Sequence, residues 1–193
     1  MKKKIIELIN ISLETKRRLL DDIDLILEIE TLSNKCLDSL NSGGKIIFAG
    51  NGGSFGDSQH ISAEFTSRFL FDRAPLASLA LGTNNSAITA IGNDYGYDQV
   101  FARELQAIGK SNDIFIPITT SGNSENITSA IKVANNIGID TTCLTGNGGG
   151  KLKEMCNCII VPATATERIQ ECHILIGHIL CAIVEEEIFS NES

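Results

Sequence analysis

His60 and Glu64 stand four residues apart in a stretch of helical pattern. An imidazole and a carboxylate at that spacing share one helix face, about 6 Å apart along the axis. They can act at one point. The same spacing also makes an ordinary surface ion pair. The setting favours chemistry. The chain has three histidines, and the other two, His173 and His178, share the last helical stretch with Gln170 and Glu171. Gln170 and His178 are about 80° apart around such a helix and about 12 Å apart along it. That is far for one metal ion, unless long side chains lean together or subunits pack along this helix to build neighbouring sites. His173 lies about 140° around from His178 and reads as a helix-face residue near a subunit contact.

Two turns in the chain are written for an anion. Ile46 to Ala49 runs directly into Gly50-Asn51-Gly52-Gly53-Ser54 and then a polar helix pattern. Small residues there leave amide N–H groups unpartnered at a helix start, where the macrodipole is also positive. Glycine serves a tight strand-to-helix connection for steric reasons alone, so this turn by itself is weak evidence. The second turn, Thr119-Thr120-Ser121-Gly122-Asn123-Ser124, follows Ile114 to Ile118 and adds hydroxyl donors, with Ser124 placed as an N-cap. The first turn lacks the glycine spacing of a dinucleotide fold and the Gly-Lys-Ser/Thr ending of a P-loop. A smaller phosphoester is the expected occupant. Arg68, one turn past Glu64, is a candidate for a phosphate or hydroxyl contact. Asn93-Asp94 reads as an Asx turn or a contact to substrate hydroxyls.

The elements that must position these residues follow from periodicity. The first forty residues carry apolar positions at mixed three and four spacing and read as helical, ended by Gly43-Gly44. Short apolar runs at Lys45 to Gly50, Leu76 to Leu81, Asp113 to Ile118, Thr141 to Thr145 and Cys158 to Val161 read as buried strands. Between and after them, roughly 54–71, 84–108, 124–137 and 166–189 read as helices. Strands alternating with helices predict a three-layer α/β/α sandwich with five parallel strands, preceded by N-terminal helices. Ligands in such sheets bind beyond the carboxyl ends of the strands, where both turns fall.

Composition narrows the class. A chain of 193 residues, 42% hydrophobic, suits one domain. A net charge of −8 with scattered basic residues argues against nucleic acid as a partner. The Met1-Lys2-Lys3-Lys4 start imitates a signal peptide, but Glu7, Asn10, Glu14 and Lys16 interrupt any apolar core. No run reaches membrane-span length, so the expected place is the cytoplasm, with no membrane partner. Cys36, Cys143, Cys156, Cys158, Cys172 and Cys181 sit mostly in apolar stretches and read as reduced thiols. Cys156 and Cys158, on alternate strand positions, read as a structural pair rather than a zinc knuckle.

Taken together, Gly50 to Ser54, Asp57 and His60 through Glu64, Gly92-Asn93-Asp94, Thr120 to Ser124, Leu144-Thr145-Gly146, and Arg168-Ile169-Gln170-Glu171 through His178 resemble the phosphoheptose isomerases, of the sugar-isomerase (SIS) fold group. The resemblance covers almost the whole chain, and the joint order and spacing of its motifs is specific. Thr119 stands where serine is common, a departure that removes no catalytic group. The resemblance implies conversion of sedoheptulose 7-phosphate to D-glycero-D-manno-heptose 7-phosphate, the first step toward nucleotide-activated heptose for surface polysaccharides such as lipopolysaccharide. It implies substrate contacts at Asn51, Gly52, Gly53, Ser54, Asn93, Asp94, Thr119, Thr120, Ser121, Ser124 and Gln170, with Glu64 and Arg68 beside them. It also implies one zinc ion per subunit on His60, Glu64, Gln170 and His178, a metal that can be absent from isolated protein. Finally, it implies a homotetramer with sites between subunits, residues 1–42 serving in oligomer packing. Glu64 and His178 are the expected general base and acid, their assignment left open. The rival expectations are a non-catalytic SIS-domain scaffold of the replication-initiator-associating type, which lacks both groups, and an isomerase of another phosphosugar.

Overall fold

The computed structural model describes residues 1–190. A five-stranded sheet, every neighbouring pair parallel, has the order β2-β1-β3-β4-β5, with β1 Ile46–Gly50, β2 Ser78–Ala80, β3 Ile114–Thr119, β4 Asp140–Thr145 and β5 Asn157–Ile160. The helices are α1 Lys2–Asp21, α2 Ile23–Asn41, α3 Gly53–Thr66, α4 Asn85–Tyr95, α5 Val100–Ile108, α6 Glu125–Ile137 and α7 Thr166–Phe189. The chain winds outward from β1 in both directions, so the order reverses between β1 and β3. A crevice opens at such a switch point beyond the carboxyl ends of the strands.

Alternate residues of one strand feed two cores. Ile46 and Phe48 join α2, α3 and α7 on one face, while Ile47 and Ala49 join α5 and α6 on the other. All five residues of β1 are buried, as a strand covered on both faces requires. Phe48 stacks on Phe65 of α3 at 6.3 Å between ring centroids, which fixes that helix over β1. Helix α7 packs on α3 through Gly177, where a Cβ atom would lie 2.3 Å from Ile61 Cδ1. Only a residue without a side chain permits that approach.

Several boundaries differ from the sequence reading. The N-terminal helical stretch is two helices, divided at Asp22, whose side chain accepts the Leu25 N–H at 3.1 Å and caps α2. The third helix ends at Thr66, short of residue 71, because the chain bends to let Arg73 take its last carbonyls. The stretch 84–108 breaks at Gly96, whose φ of +92° no helix accommodates, and resumes through a short 3-10 turn over Tyr97–Gln99 into α5. The second strand keeps only three residues at the sheet edge. All six cysteines are free thiols; Cys158 lies in β5, while Cys156 sits in the bend just before it.

Candidate active site

The two anion turns follow β1 and β3, neighbours in the sheet whose ends pair as Gly50 with Ile118. The chain leaves β1 through Gly52, at φ +56° and ψ −119°, a conformation that favours glycine. Helix α3 then starts with no side-chain cap, so its first amides are offered to whatever occupies the crevice. Helix α6 likewise has Ser124 in the N-cap position but no side-chain cap. Its hydroxyl pairs instead with Thr119 Oγ1 at 3.1 Å. The Ser121 hydroxyl accepts the Asn123 N–H at 3.2 Å. A run of oriented hydroxyls beside an uncapped helix start suits a phosphate group.

A reciprocal amide pair joins the turns. Asn51 Nδ2 donates to Asn126 Oδ1 at 2.9 Å, and Asn126 Nδ2 returns a bond to Asn51 Oδ1 at 2.8 Å. Asn126 also accepts the Ile127 N–H at 3.0 Å, and Tyr97 Oη donates to Asn51 Oδ1 at 3.0 Å. Asn126 and Tyr97 have no counterpart in the sequence reading. Partners 75 and 46 residues from Asn51 carry no periodic signal.

The titratable cluster forms within one chain. His60 Nε2 lies 3.1 Å from His178 Nε2 and 3.3 Å from Glu64 Oε1. The Phe69 ring stacks on His178, 5.4 Å between centroids and 24° between planes. Helices α3 and α7 run side by side, so that Gln170 meets Gly53 while His178 meets His60; a Cβ on Gly53 would lie 2.6 Å from Gln170 Nε2. Gln170 therefore serves the start of α3, about two helical turns from the histidine pair. Asp57, one turn before His60, keeps a buried Oδ2 without a hydrogen-bond partner. Burial raises its pKa, opposed by the charge of His60.

Arg68 lies beyond the end of α3 and is exposed. Asn93 and Asp94 occupy the last turn of α4 rather than an Asx turn; both are exposed and bonded to each other at 2.8 Å. His173 is a correction. It is fully buried, not on a contact face, and neither ring nitrogen has a partner. Burial pushes its pKa down to about 4; the Thr145 carbonyl opposes this, but not at hydrogen-bonding geometry.

The donor set can be tested against zinc. Tetrahedral bonds of about 2.0–2.1 Å place ligand atoms about 3.3 Å apart, close to both spacings around His60 Nε2. Imidazole nitrogen and carboxylate oxygen are zinc donors in kind. Among the described residues, no group of three or more His, Cys, Asp or Glu side chains is already closed around one point.

The chain is similar to known proteins over nearly its whole length. A family model described as SIS domain matches residues 13–146. The phosphoheptose isomerase of Aneurinibacillus thermoaerophilus is 52% identical over 182 residues, covering 94% of this chain and 92% of that one. That of Sulfurimonas denitrificans is 50% identical over 192 residues, covering 99% and 98%. The solved structure of a phosphoheptose isomerase from Francisella tularensis superposes with a TM-score of 0.91 at 36% identity, covering 95% of this chain and 97% of that one. Sharing half its residues with such relatives over nearly its whole length, and their fold, the chain belongs to the phosphoheptose isomerase family of SIS-domain proteins.

Proposed function

We propose that this protein isomerises sedoheptulose 7-phosphate to D-glycero-D-manno-heptose 7-phosphate, in the cytoplasm, as a first step toward nucleotide-activated heptose. The observation that carries the reading is the cluster of His60, Glu64 and His178 where α3 meets α7, in a chain whose β3 end carries a hydroxyl-lined turn suited to phosphate. Moving a carbonyl from C2 to C1 needs one group to take a proton from C1 and return it to C2. A second group must take the O1 proton and supply one to O2. We assign Glu64 the carbon proton, since a carboxylate can take a proton from one carbon and return it to its neighbour, and its Oε1 lies 3.3 Å from His60 Nε2. His178 serves the oxygens, since an imidazole both gives and takes a proton near neutral pH.

Thr119, Thr120, Ser121 and Ser124 would hold the phosphate. Asn51 to Ser54, Asn93, Asp94, Arg68 and Gln170 would face the sugar. A zinc ion would be held by His60, Glu64 and His178 and would supply Lewis-acid polarisation of the carbonyl. Gln170, the expected fourth donor, meets the start of α3 about two helical turns away and does not reach that ion within one chain. The exposed aliphatic face of α1 supports assembly into a homotetramer. No helix among the described residues is long and apolar enough to cross a membrane.

The deciding experiment is turnover of sedoheptulose 7-phosphate by purified protein, coupled to a heptose kinase. We expect product. No turnover, with and without added zinc, would overturn the reading.

A further inference from the structure

Seven residues past His178, on the same face of α7 and about 10 Å along it, Glu185 is wholly buried and pairs with an equally buried arginine. The Arg73 Nε–Glu185 Oε1 distance is 2.9 Å, with side-chain exposures of 2% and 0%. Glu185 also accepts the Phe69 N–H at 3.0 Å and the Leu70 N–H at 2.7 Å. Burial alone would raise this carboxyl; the two amides and the guanidinium overcome it and hold the pKa below the usual value.

The guanidinium reaches the other way, into the end of α3. Arg73 Nη2 donates to the Glu64 carbonyl at 2.9 Å, and Nη1 to the carbonyls of Phe65 at 2.7 Å, Ser67 at 3.1 Å and Ala74 at 3.1 Å. One ion pair thus ties the backbone of Glu64, the backbone of Phe69 and helix α7 into a single unit. The Phe69 ring lies on the His178 imidazole, which limits the tilt of that ring and leaves its Nε2 facing His60. A buried ion pair is a poor device for stability alone, because desolvation of both charges offsets much of the attraction. It is a good device for geometry, since a planar fork and a carboxylate fix several groups at once.

We infer that Arg73, Glu185 and Phe69 are positioning residues for the isomerisation, holding the Glu64-bearing end of α3 and the His178 ring in register. The inference rests on the reading of Glu64 and His178 as the reacting groups. None of the three touches substrate. Their loss should therefore lower kcat and leave KM nearly unchanged, as misalignment of a reacting group does when ground-state binding is untouched.

The test compares wild type, Phe69→Leu, Phe69→Tyr and Arg73→Lys on sedoheptulose 7-phosphate, with thermal melts alongside. Phe69→Leu keeps the apolar bulk and loses the flat ring. We expect kcat to fall about tenfold or more, as for a reacting group displaced by a fraction of an ångström, with KM within about twofold. Phe69→Tyr, which restores the ring face, should recover most of the loss. Arg73→Lys keeps the charge but not the fork, and is expected to lose more activity than Phe69→Leu; if it does not fold, the Phe69 pair still decides. Unchanged kcat in Phe69→Leu, a change confined to KM, or a tyrosine variant no better than leucine would overturn the inference. An inactive wild type would instead overturn the functional reading, and this inference with it.

Discussion

The reacting groups can be tested one at a time. Glu64→Gln keeps size and hydrogen bonding but cannot accept a carbon proton, so kcat should fall by about a hundredfold or more. His178→Gln should do likewise, and steady-state assays with phosphosugar binding measured separately distinguish lost chemistry from lost affinity. Full activity in either variant removes that residue from the mechanism. His173 makes a different prediction. Its pKa is near 4 in the fold and about 6.5 in the unfolded chain, so between those values only the unfolded chain takes up the proton. The stability it permits is complete above pH 6.5 and is lost as pH falls toward 4. From this group alone we expect a loss of about 2 kcal/mol between pH 7 and pH 5. His173→Leu should flatten that dependence in urea titrations at the two pH values. Equal pH slopes in wild type and variant would show that the imidazole is not buried neutral. The sequence placed His173 on a contact face because helical angle alone cannot say which faces of α7 are covered. This helix is buried by α2 and α3 together, and both sides of it are core.

At the scale of elements, the strands were legible and the breaks less so. Runs such as Ile46 to Gly50 and Ile114 to Thr119 are short, apolar and bounded by turn residues, so strand type and near-final bounds follow from composition. The edge strand β2 was overextended, since no sequence signal marks where a strand runs out of partners. Gly96 was visible, but a glycine inside a helical pattern is tolerated often enough that its φ had to be seen. The Arg73–Glu185 pair was invisible, because residues 112 apart share no period. The position of α7 depends on Gly177. Gly177→Val would drive a branched side chain into Ile61 and push α7 from α3, parting His178 from His60. We expect a kcat loss of about tenfold or more and destabilisation of about 1–3 kcal/mol, read from kinetics and denaturant melts. Activity equal to wild type would mean the helices need not touch so closely.

The whole molecule carries one face that a lone chain leaves wet. Helix α1 buries only Thr15 and Leu19, while Ile5, Ile6, Leu8, Ile9, Ile11, Leu13 and Leu20 are each more than 40% exposed. It is held to α7 by polar contacts of Ser12 and Lys16 with Glu171. Ile9→Glu combined with Leu13→Glu, one turn apart on that face, should reduce the assembly to smaller species in light scattering. A wild type that is monomeric at working concentration, or a double variant that assembles normally, would sink the tetramer proposal. The sequence showed this helix and its apolar residues; it could not show that its own chain leaves them uncovered.

The Asn51–Asn126 amide pair ties the turn that opens α3 to the turn that would grip phosphate. With the phosphate seated in the second turn, the gap to the reacting carbons belongs to the protein and not to the sugar. Such a clamp measures chain length as a ruler does: a five-carbon ketose phosphate anchored at the same end presents its carbonyl short of where a seven-carbon one presents it, whatever its hydroxyls offer.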